Sequence, residues 1–269
     1  MVEVREMKKM TVPRFKSLKG KRKIVMITAY DYTFAKLIEL CQCIDAVLVG
    51  DSLGNVIQGL DTTLPVEVEH IVYHTKAVSR ALKTPLIIAD IPFMSYYNKD
   101  IAAKTAEKLM KAGANAVKLE GGVEKADIVH FLTQQGIPVM GHIGMTPQSV
   151  NLIGGYKIQG KKSEMIKYLL ESAKALEEAG AFSIVIETTK REVAKKITQN
   201  ISIPTIGIGA GVDTDGQVLV LYDILGLDPD IHFTFVKQYL NGAEMIINAL
   251  KEYSKEVKEK IFPDEEHSF

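Results

Sequence analysis

The chain has 269 residues, of which 46% are hydrophobic and 25% are charged, an ordinary composition for one large globular domain or two small ones. The chain has 33 lysines and arginines and 33 aspartates and glutamates. It therefore has no excess of positive charge that would favour binding to nucleic acid or to an anionic membrane. We therefore expect no nucleic-acid partner and no membrane partner, and a neutral surface near pH 7 favours self-association.

The cysteines and the N-terminus indicate a reducing compartment. Cys41 and Cys43 are too close together for an ordinary loop-closing disulfide and too few for a zinc site. The N-terminal segment is charged and lacks the apolar stretch of a signal peptide, and no run of about 18 apolar residues predicts a membrane span. We expect a cytoplasmic protein.

Short runs rich in valine and isoleucine alternate with amphipathic helical patterns along the chain. Such runs predict buried parallel strands, because strands covered on both faces are apolar throughout. The predicted strands are residues 24–29, 46–50, 85–90, 116–120, 138–142, 183–187 and 204–209, with 218–222 as a weaker eighth. The predicted helices are residues 33–40, 66–82, 99–111, 123–135, 163–178 and 191–199, followed by a final helix over 233–260.

Repeated strand–helix units predict a parallel sheet that is either closed into a barrel or open and doubly wound. We favour closure, because seven or eight strands are present, no linker splits the chain, and polar residues end many strands. The predicted fold is a single (β/α)₈ TIM barrel over residues 1–269. An N-terminal extension covers about 1–23, and a C-terminal helical extension covers about 229–269.

Acidic residues stand at the ends of three successive predicted strands: Asp51, Asp90 and Glu120. In a barrel these ends open into one bowl, where the three carboxylates supply the oxygen ligands that a hard cation such as Mg²⁺ requires. Without a cation, converging carboxylates would raise one another's pKa. A strand-end acid that caps a turn or a helix is the alternative for each residue taken singly, and the three together favour the metal site.

Three further side chains are candidates for the same bowl. Lys118 lies two residues before Glu120 on the same strand face, where it either pairs with Glu120 or neutralises a substrate carboxylate; we favour the substrate role. Glu187 ends the sixth strand away from the acid cluster, as a general base or as a solvated strand end. His142, followed by Gly144, has two interpretations: it contacts substrate or metal, or it is a structural histidine whose hydrogen bonds are made within the protein.

One short motif keeps a hydrolase alternative open. Gly50-Asp51-Ser52-Leu53-Gly54 matches the G-x-S-x-G nucleophile elbow and follows a predicted strand. The residues after it lead toward Thr62-Thr63-Leu64-Pro65 rather than into a long helix, which favours a loop. A serine hydrolase that uses Ser52 is therefore a rival prediction.

Two other motifs are weaker. His70 and His74 have the spacing of a zinc-binding helix, but Ile71 stands where the general-base glutamate belongs, so we expect them to lie on one helix face. The glycines at 207, 209 and 211 are followed by Val212 rather than by the glycine of a dinucleotide fingerprint. They permit a tight turn or a close backbone approach to a ligand.

Longer ordered blocks carry a more specific signal, from about residue 11 to the C-terminus. They include Val49-Gly50-Asp51-Ser52-Leu53-Gly54, Ala89-Asp90-Ile91-Pro92-Phe93-Met94-Ser95-Tyr96, Val117-Lys118-Leu119-Glu120-Gly121-Gly122, Gly141-His142-Ile143-Gly144-Met145-Thr146-Pro147-Gln148 and Pro204-Thr205-Ile206-Gly207-Ile208-Gly209-Ala210-Gly211. In these blocks the chain resembles the ketopantoate hydroxymethyltransferase family.

The resemblance implies a barrel of the phosphoenolpyruvate/isocitrate lyase-like type, a cytoplasmic homodecamer and one Mg²⁺ per subunit. It implies transfer of a hydroxymethyl group from 5,10-methylenetetrahydrofolate to 3-methyl-2-oxobutanoate, which gives 2-dehydropantoate (ketopantoate) for pantothenate and coenzyme A biosynthesis. A carbon–carbon lyase or mutase on the same barrel is the rival enzyme class, and it would need no folate.

The resemblance also assigns roles by position. The family's magnesium ligands match Asp51, Asp90 and Glu120; its oxo-acid contacts match Asp51, Ser52, Asp90 and Lys118; and its proton acceptor matches Glu187. The chain departs from the family at Thr188-Thr189, where cysteine and proline are common, and at Cys41-Gln42-Cys43, where a glycine turn is usual.

Overall fold

The computed structural model describes residues 8–230 and 233–269. Within that part of the chain, eight parallel strands pair in chain order, and β1 closes the barrel against β8. The strands are β1 (Ile24–Thr28), β2 (Ala46–Val49), β3 (Leu86–Asp90), β4 (Ala116–Glu120), β5 (Val139–Gly144), β6 (Ser183–Glu187), β7 (Thr205–Ile208) and β8 (Gly216–Leu219). The predicted closed barrel is confirmed.

Amphipathic helices alternate with the strands along the chain, and their buried residues recur at helical spacing. The helices are α1 (Val12–Lys16), α2 (Tyr32–Cys41), α3 (Leu53–Val56), α4 (Val68–Ala81), α5 (Lys99–Lys111), α6 (Ala126–Gln134), α7 (Val150–Ile153), α8 (Ser163–Glu178), α9 (Arg191–Asn200), α10 (Leu221–Ile224) and α11 (Gly242–Lys258). Short 3₁₀ turns at Val123–Lys125 and Pro147–Ser149 precede α6 and α7. Side-chain caps begin several helices, as where Asp31 accepts a hydrogen bond from Phe34 N at 2.8 Å.

Two predicted boundaries were wrong. Strand β8 begins at Gly216 rather than at 218 and ends before 222, because helix α10 starts at Leu221. A side chain on Gly216 would come within 2.6 Å of the Ile24 carbonyl oxygen, so this strand starts on a glycine that carries no apolar signal. The last helix begins at Gly242 rather than at 233, because the Tyr239 amide donates to the Ile224 carbonyl instead of to a helical partner.

The described chain forms two compact units, one ending at Val220 and one beginning at Leu221. The first unit holds the barrel and every predicted site residue, and the second holds α10 and α11. The single-domain assignment of residues 1–269 stays a prediction. No described helix has the length and apolar composition needed to cross a bilayer.

The N-terminal extension closes the end of the barrel at which the strands begin. Phe15 of α1 is fully buried and meets Phe182 edge to face, with ring centroids 5.6 Å apart. The Met10 amide donates to the Thr84 carbonyl at 2.7 Å, just before β3. Burial of one such aromatic side chain contributes about 1.5–3 kcal/mol. Residues 1–7 of the predicted extension lie outside the described residues, and the opposite end of the barrel is left for the site.

Candidate active site

Strand register sets which side chains meet at the carboxyl ends of the strands. Asp90 on β3 is the register partner of Lys118 on β4, and Glu120 is the partner of His142 on β5. On the next pair of strands, Gly144 of β5 is the register partner of Glu187 of β6. The predicted residues of β3 to β6 therefore stand side by side around one bowl.

Lys118 forms a buried ion pair with Asp90. Its Nζ lies 2.6 Å from Asp90 Oδ1, and the two side chains are 4% and 2% exposed. The alternative pairing with Glu120 was therefore wrong: Asp90 is directly adjacent in the register, whereas Glu120 is turned toward His142. Burial alone would lower the pKa of Lys118, but Asp90, Glu120 and Asp51 outweigh it and raise that pKa, so the ammonium is charged at neutral pH.

Asp51 is held next to this pair by its backbone and its side chain. Its amide donates to Asp90 Oδ2 at 3.0 Å, and its Oδ2 accepts from Gln148 Nε2 at 2.8 Å. Burial, followed by the charges of Asp90 and Glu120, raises the pKa of Asp51 to about 8. The charged form of Asp51 is thus disfavoured in the bowl.

His142 bridges the acid cluster and the candidate base. Its Nδ1 lies 3.4 Å from Glu120 Oε1 and its Nε2 lies 3.2 Å from Glu187 Oε2. Burial and the nearby Lys118 lower the pKa of His142, but the contacts with both glutamates prevail and raise it to about 9. His142 is buried, and Lys118 Nζ also lies 3.3 Å from its Nδ1, so its contacts are with neighbouring side chains of the bowl.

Glu187 sits at the mouth of the bowl. Its side chain is 15% exposed, against 3% for Glu120, so it keeps access to a bound small molecule. The backbone around it is tight: Thr188 has φ 42°, a left-handed conformation that a β-branched residue rarely adopts. Gly144 has φ 96°, and a side chain there would collide with the Glu187 carbonyl oxygen. The family departure at Thr188-Thr189 therefore falls on a strained turn next to the base.

Ser52 has a different partner from the one that a serine hydrolase needs. Its Oγ lies 2.7 Å from the Tyr30 hydroxyl, and among the described residues no histidine is hydrogen-bonded to it. His74 Nδ1 instead lies 2.5 Å from the Tyr30 carbonyl oxygen. Only the single-turn helix α3 follows Ser52, where we had predicted a loop, so the geometry gives no activated serine.

The other two motifs have structural roles. His70 Nδ1 accepts from the Glu67 amide at 3.0 Å in the capping box of α4, so the pair of histidines does not converge on a metal. Gly209 and Gly211 have φ 60° and φ 82°, which identifies the glycines after β7 as a tight turn.

Gln148 was missed by the sequence interpretation, although it joins the two halves of the acid cluster. Its amide donates to Glu120 Oε2 at 3.0 Å, and its side-chain nitrogen donates to Asp51 Oδ2. Its side-chain oxygen accepts from the Tyr96 hydroxyl at 2.8 Å. Because Gln148 lies in a 3₁₀ turn, the strand-end pattern does not select it. The only signal is its place in the Gly141–Gln148 block.

The bowl contains the oxygen donors that a hard cation prefers, but these donors are not already arranged around a common point. Among the described residues, no group of three or more His, Cys, Asp or Glu side chains is spaced to hold a metal ion. The carboxylates of Asp51, Asp90 and Glu120 gather there, but each is turned to a protein partner. Burial, followed by the charges of Asp90 and Glu120, raises the pKa of Asp51, and a divalent cation with oxygen ligands would stabilise its carboxylate form. The donor set is therefore suitable for Mg²⁺ that keeps water or substrate oxygens in its shell.

Comparison with known proteins decides the family. The family model for ketopantoate hydroxymethyltransferase matches residues 9–265. A 3-methyl-2-oxobutanoate hydroxymethyltransferase from Thermosipho melanesiensis is 53% identical, covering 97% of this chain and 98% of its own length. The chain belongs to the ketopantoate hydroxymethyltransferase family. The 3-methyl-2-oxobutanoate hydroxymethyltransferase from Thermotoga maritima is 52% identical over 97% of this chain and 96% of its own.

Solved structures share the fold at much lower identity. Phosphonopyruvate hydrolase, in a complex with oxalate and Mg²⁺, aligns with a TM-score of 0.62 and 13% identity over 96% of this chain and 93% of its own. A 2,3-dimethylmalate lyase of the PEP mutase/isocitrate lyase superfamily aligns with a TM-score of 0.59 and 16% identity, over 96% and 92%. The predicted barrel type is confirmed, and the family membership favours a ketopantoate hydroxymethyltransferase over the rival lyase or mutase.

Proposed function

We propose that this hydroxymethyltransferase moves a one-carbon unit from 5,10-methylenetetrahydrofolate to 3-methyl-2-oxobutanoate, with Glu187 as the proton acceptor and Mg²⁺ in the bowl. The observation that carries the proposal is that the candidate base and the candidate metal ligands lie on different sides of His142. A partly exposed glutamate stands on one side of it, and buried carboxylates with a paired lysine stand on the other. Proton abstraction next to a carbonyl needs both a free base and a site for the developing negative charge.

The cation would be held by Asp51, Asp90 and Glu120. Held there, the cation would supply Lewis-acid chemistry: the keto oxygen of the substrate would be polarised and the proton on the neighbouring carbon C3 would become more acidic. The same-fold phosphonopyruvate hydrolase that binds oxalate together with Mg²⁺ supports this assignment, since oxalate is a small dicarboxylate with the oxygen arrangement of an oxo acid.

Lys118 and Ser52 orient the oxo acid. The charged, buried Lys118 offsets the substrate's negative charge, and its pairing with Asp90 keeps it in place. The Ser52 hydroxyl, held by Tyr30, is placed to hydrogen-bond to a substrate oxygen. With Asp51 and Asp90 these residues form the proposed substrate contacts.

Glu187 accepts the proton from C3, and the His142 ring, whose Nε2 lies 3.2 Å from Glu187 Oε2, orients the Glu187 side chain for that transfer. C3 then forms a bond to the methylene carbon of the folate, and the oxygen of one water forms the second new bond to that carbon, as both of its carbon–nitrogen bonds to the folate break. The two folate nitrogens take up the proton removed from C3 and one proton of the water, so that ketopantoate and tetrahydrofolate leave.

A coupled assay tests this function. The purified chain is mixed with 3-methyl-2-oxobutanoate and methylenetetrahydrofolate, and ketopantoate is measured before and after EDTA treatment and after Mg²⁺ is added back. We expect folate-dependent product that EDTA abolishes and Mg²⁺ restores. No product, or full activity in EDTA, would overturn the proposal. A cytoplasmic homodecamer stays a prediction of the family resemblance, and light scattering after size exclusion measures the assembly.

A further inference from the structure

A cavity of about 430 Å³ opens next to the acid cluster. The loops after β3, β4 and β5 form its walls, and Glu120 and Gln148 lie at one end. Gly144, the register partner of Glu187, also lines it, so the cavity reaches the place where the proposed base acts. A small oxo acid would fill little of this volume, which is in the range of about 300–1,000 Å³ typical of sites for larger organic ligands.

One wall of the cavity is aromatic and open to solvent. Phe93 and Tyr97 are 42% and 55% exposed, and both line this cavity. Tyr96 lies between them in sequence and lines the same cavity, with the Lys125 ammonium 5.2 Å from its ring centroid. Exposed aromatic faces of this kind stack on planar heterocycles.

A second part of the cavity wall presents an oriented carboxylate. Glu124 Oε1 accepts from the Gly122 amide at 2.9 Å, and Oε2 accepts from the Tyr168 hydroxyl at 2.9 Å. Gly122 has no room for a side chain, which would overlap Ser172 and approach the Tyr168 hydroxyl, so this arrangement depends on the glycine. A fixed carboxylate only accepts hydrogen bonds, and two adjacent N–H donors in one plane are its best-matched ligand edge.

We propose that this cavity binds the pterin ring of the folate co-substrate, with Glu124 accepting hydrogen bonds from the amino-pyrimidinone edge and Phe93 and Tyr97 stacking on the ring. The inference rests on the proposed function and assigns the second substrate of the same site. A pterin combines a flat heterocycle with a pair of adjacent N–H donors, which is the chemistry that the two walls match. Binding there directs the methylene carbon toward the Gly144 and Glu120 end of the cavity.

Kinetics with two variants test the site. Glu124→Gln removes the charge but keeps the shape, and Phe93→Ala removes one stacking face. We expect the KM for methylenetetrahydrofolate to rise about tenfold or more for Glu124→Gln, and the binding of tetrahydrofolate measured by calorimetry to weaken in parallel. The KM for the oxo acid stays within twofold of wild type, and Glu178→Gln, an exposed acid on α8 away from the cavity, serves as the matched control.

Exchange of the C3 proton of the oxo acid separates the possible outcomes, because it needs no folate. Glu124 is exposed, so its substitution should leave the fold intact, and wild-type exchange in Glu124→Gln verifies this. An unchanged folate KM and unchanged tetrahydrofolate affinity in both variants would overturn the pterin site while leaving the proposed function standing. A wild-type protein that exchanges C3 but makes no folate-dependent product would instead overturn the proposed function.

Discussion

His142 Nε2 lies 3.2 Å from Glu187 Oε2, and this contact links the exposed base to the buried acid cluster. The same ring reaches Glu120 through Nδ1, so His142 on β5 contacts one carboxylate on each of the two flanking strands, β4 and β6. Glu187 is thereby held in one orientation at the mouth of the bowl. We interpret His142 as a residue that positions the base rather than as a residue that touches the reacting carbon.

Substitution of His142 should therefore impair proton abstraction. We expect His142→Gln to slow C3 exchange by about 10- to 100-fold, the range seen when an orienting partner of a site residue is removed. The KM for the oxo acid should change much less than the exchange rate, since the proposed substrate contacts are elsewhere. His130→Gln, on the exposed surface of α6, is the control. Wild-type exchange by His142→Gln would contradict the positioning role.

Gln148 should affect both stability and substrate binding. Gln148→Ala removes the Gln148 donor to Asp51 Oδ2 and one of the two acceptors of the Tyr96 hydroxyl, at a cost of about 1–3 kcal/mol in the free energy of unfolding. The KM for the oxo acid should rise because Asp51 loses its fixed orientation. Denaturant unfolding and initial-rate kinetics measure the two effects, and wild-type values in both would show that Gln148 is dispensable.

The sequence predicted the barrel well because each strand can be recognised from a short local stretch of residues. The seven firmly predicted strands match β1 to β7 within two residues at each end, since each is an apolar run bounded by helices and turns. Strand β8 starts on Gly216 and Gln217, which carry no apolar signal, so its first half was missed.

Side-chain partners were harder to predict than strands, because they depend on register between distant segments. The sequence placed Lys118 two residues from Glu120, but the shear of the barrel puts it opposite Asp90. The contact from Gln148 to Asp51 spans 97 residues, and no local pattern encodes it. The acids themselves were found because each ends a recognisable strand.

An ion pair outside the site should matter for folding. Asp45 is 1% exposed and accepts two hydrogen bonds from Arg22, at 2.7 and 2.5 Å, and one from the Val25 amide. Asp45→Ala should lower the free energy of unfolding by about 1–3 kcal/mol, because the Val25 amide and the guanidinium lose their acceptor. Glu107→Ala, which breaks an exposed pair with Lys111 on α5, should change the free energy of unfolding much less, because solvent screens that pair. Equal losses in the two variants would contradict this ranking.

Asp223 should make the second unit less stable at higher pH. Burial, followed by the charge of Asp228, raises the pKa of Asp223 to about 6. The folded state thus holds the proton more tightly than the unfolded state, so stability is lost as the pH rises from about 4 through 6. Asp223→Asn should raise the melting temperature at pH 7.5 and bring little gain at pH 4, whereas Asp230→Asn, an exposed acid, should show no such pH dependence. A gain for Asp223→Asn that is equal at both pH values would refute the burial effect.

The central claim is that Glu187 removes the C3 proton of 3-methyl-2-oxobutanoate, and deuterium uptake at C3 tests it most directly. The oxo acid is incubated with the chain and Mg²⁺ in D₂O without folate, and its C3 signal is followed by NMR. We predict uptake with the wild-type chain and a loss of about 100-fold or more with Glu187→Gln, while calorimetry shows nearly unchanged binding of the oxo acid. Wild-type deuterium uptake by Glu187→Gln would contradict the account.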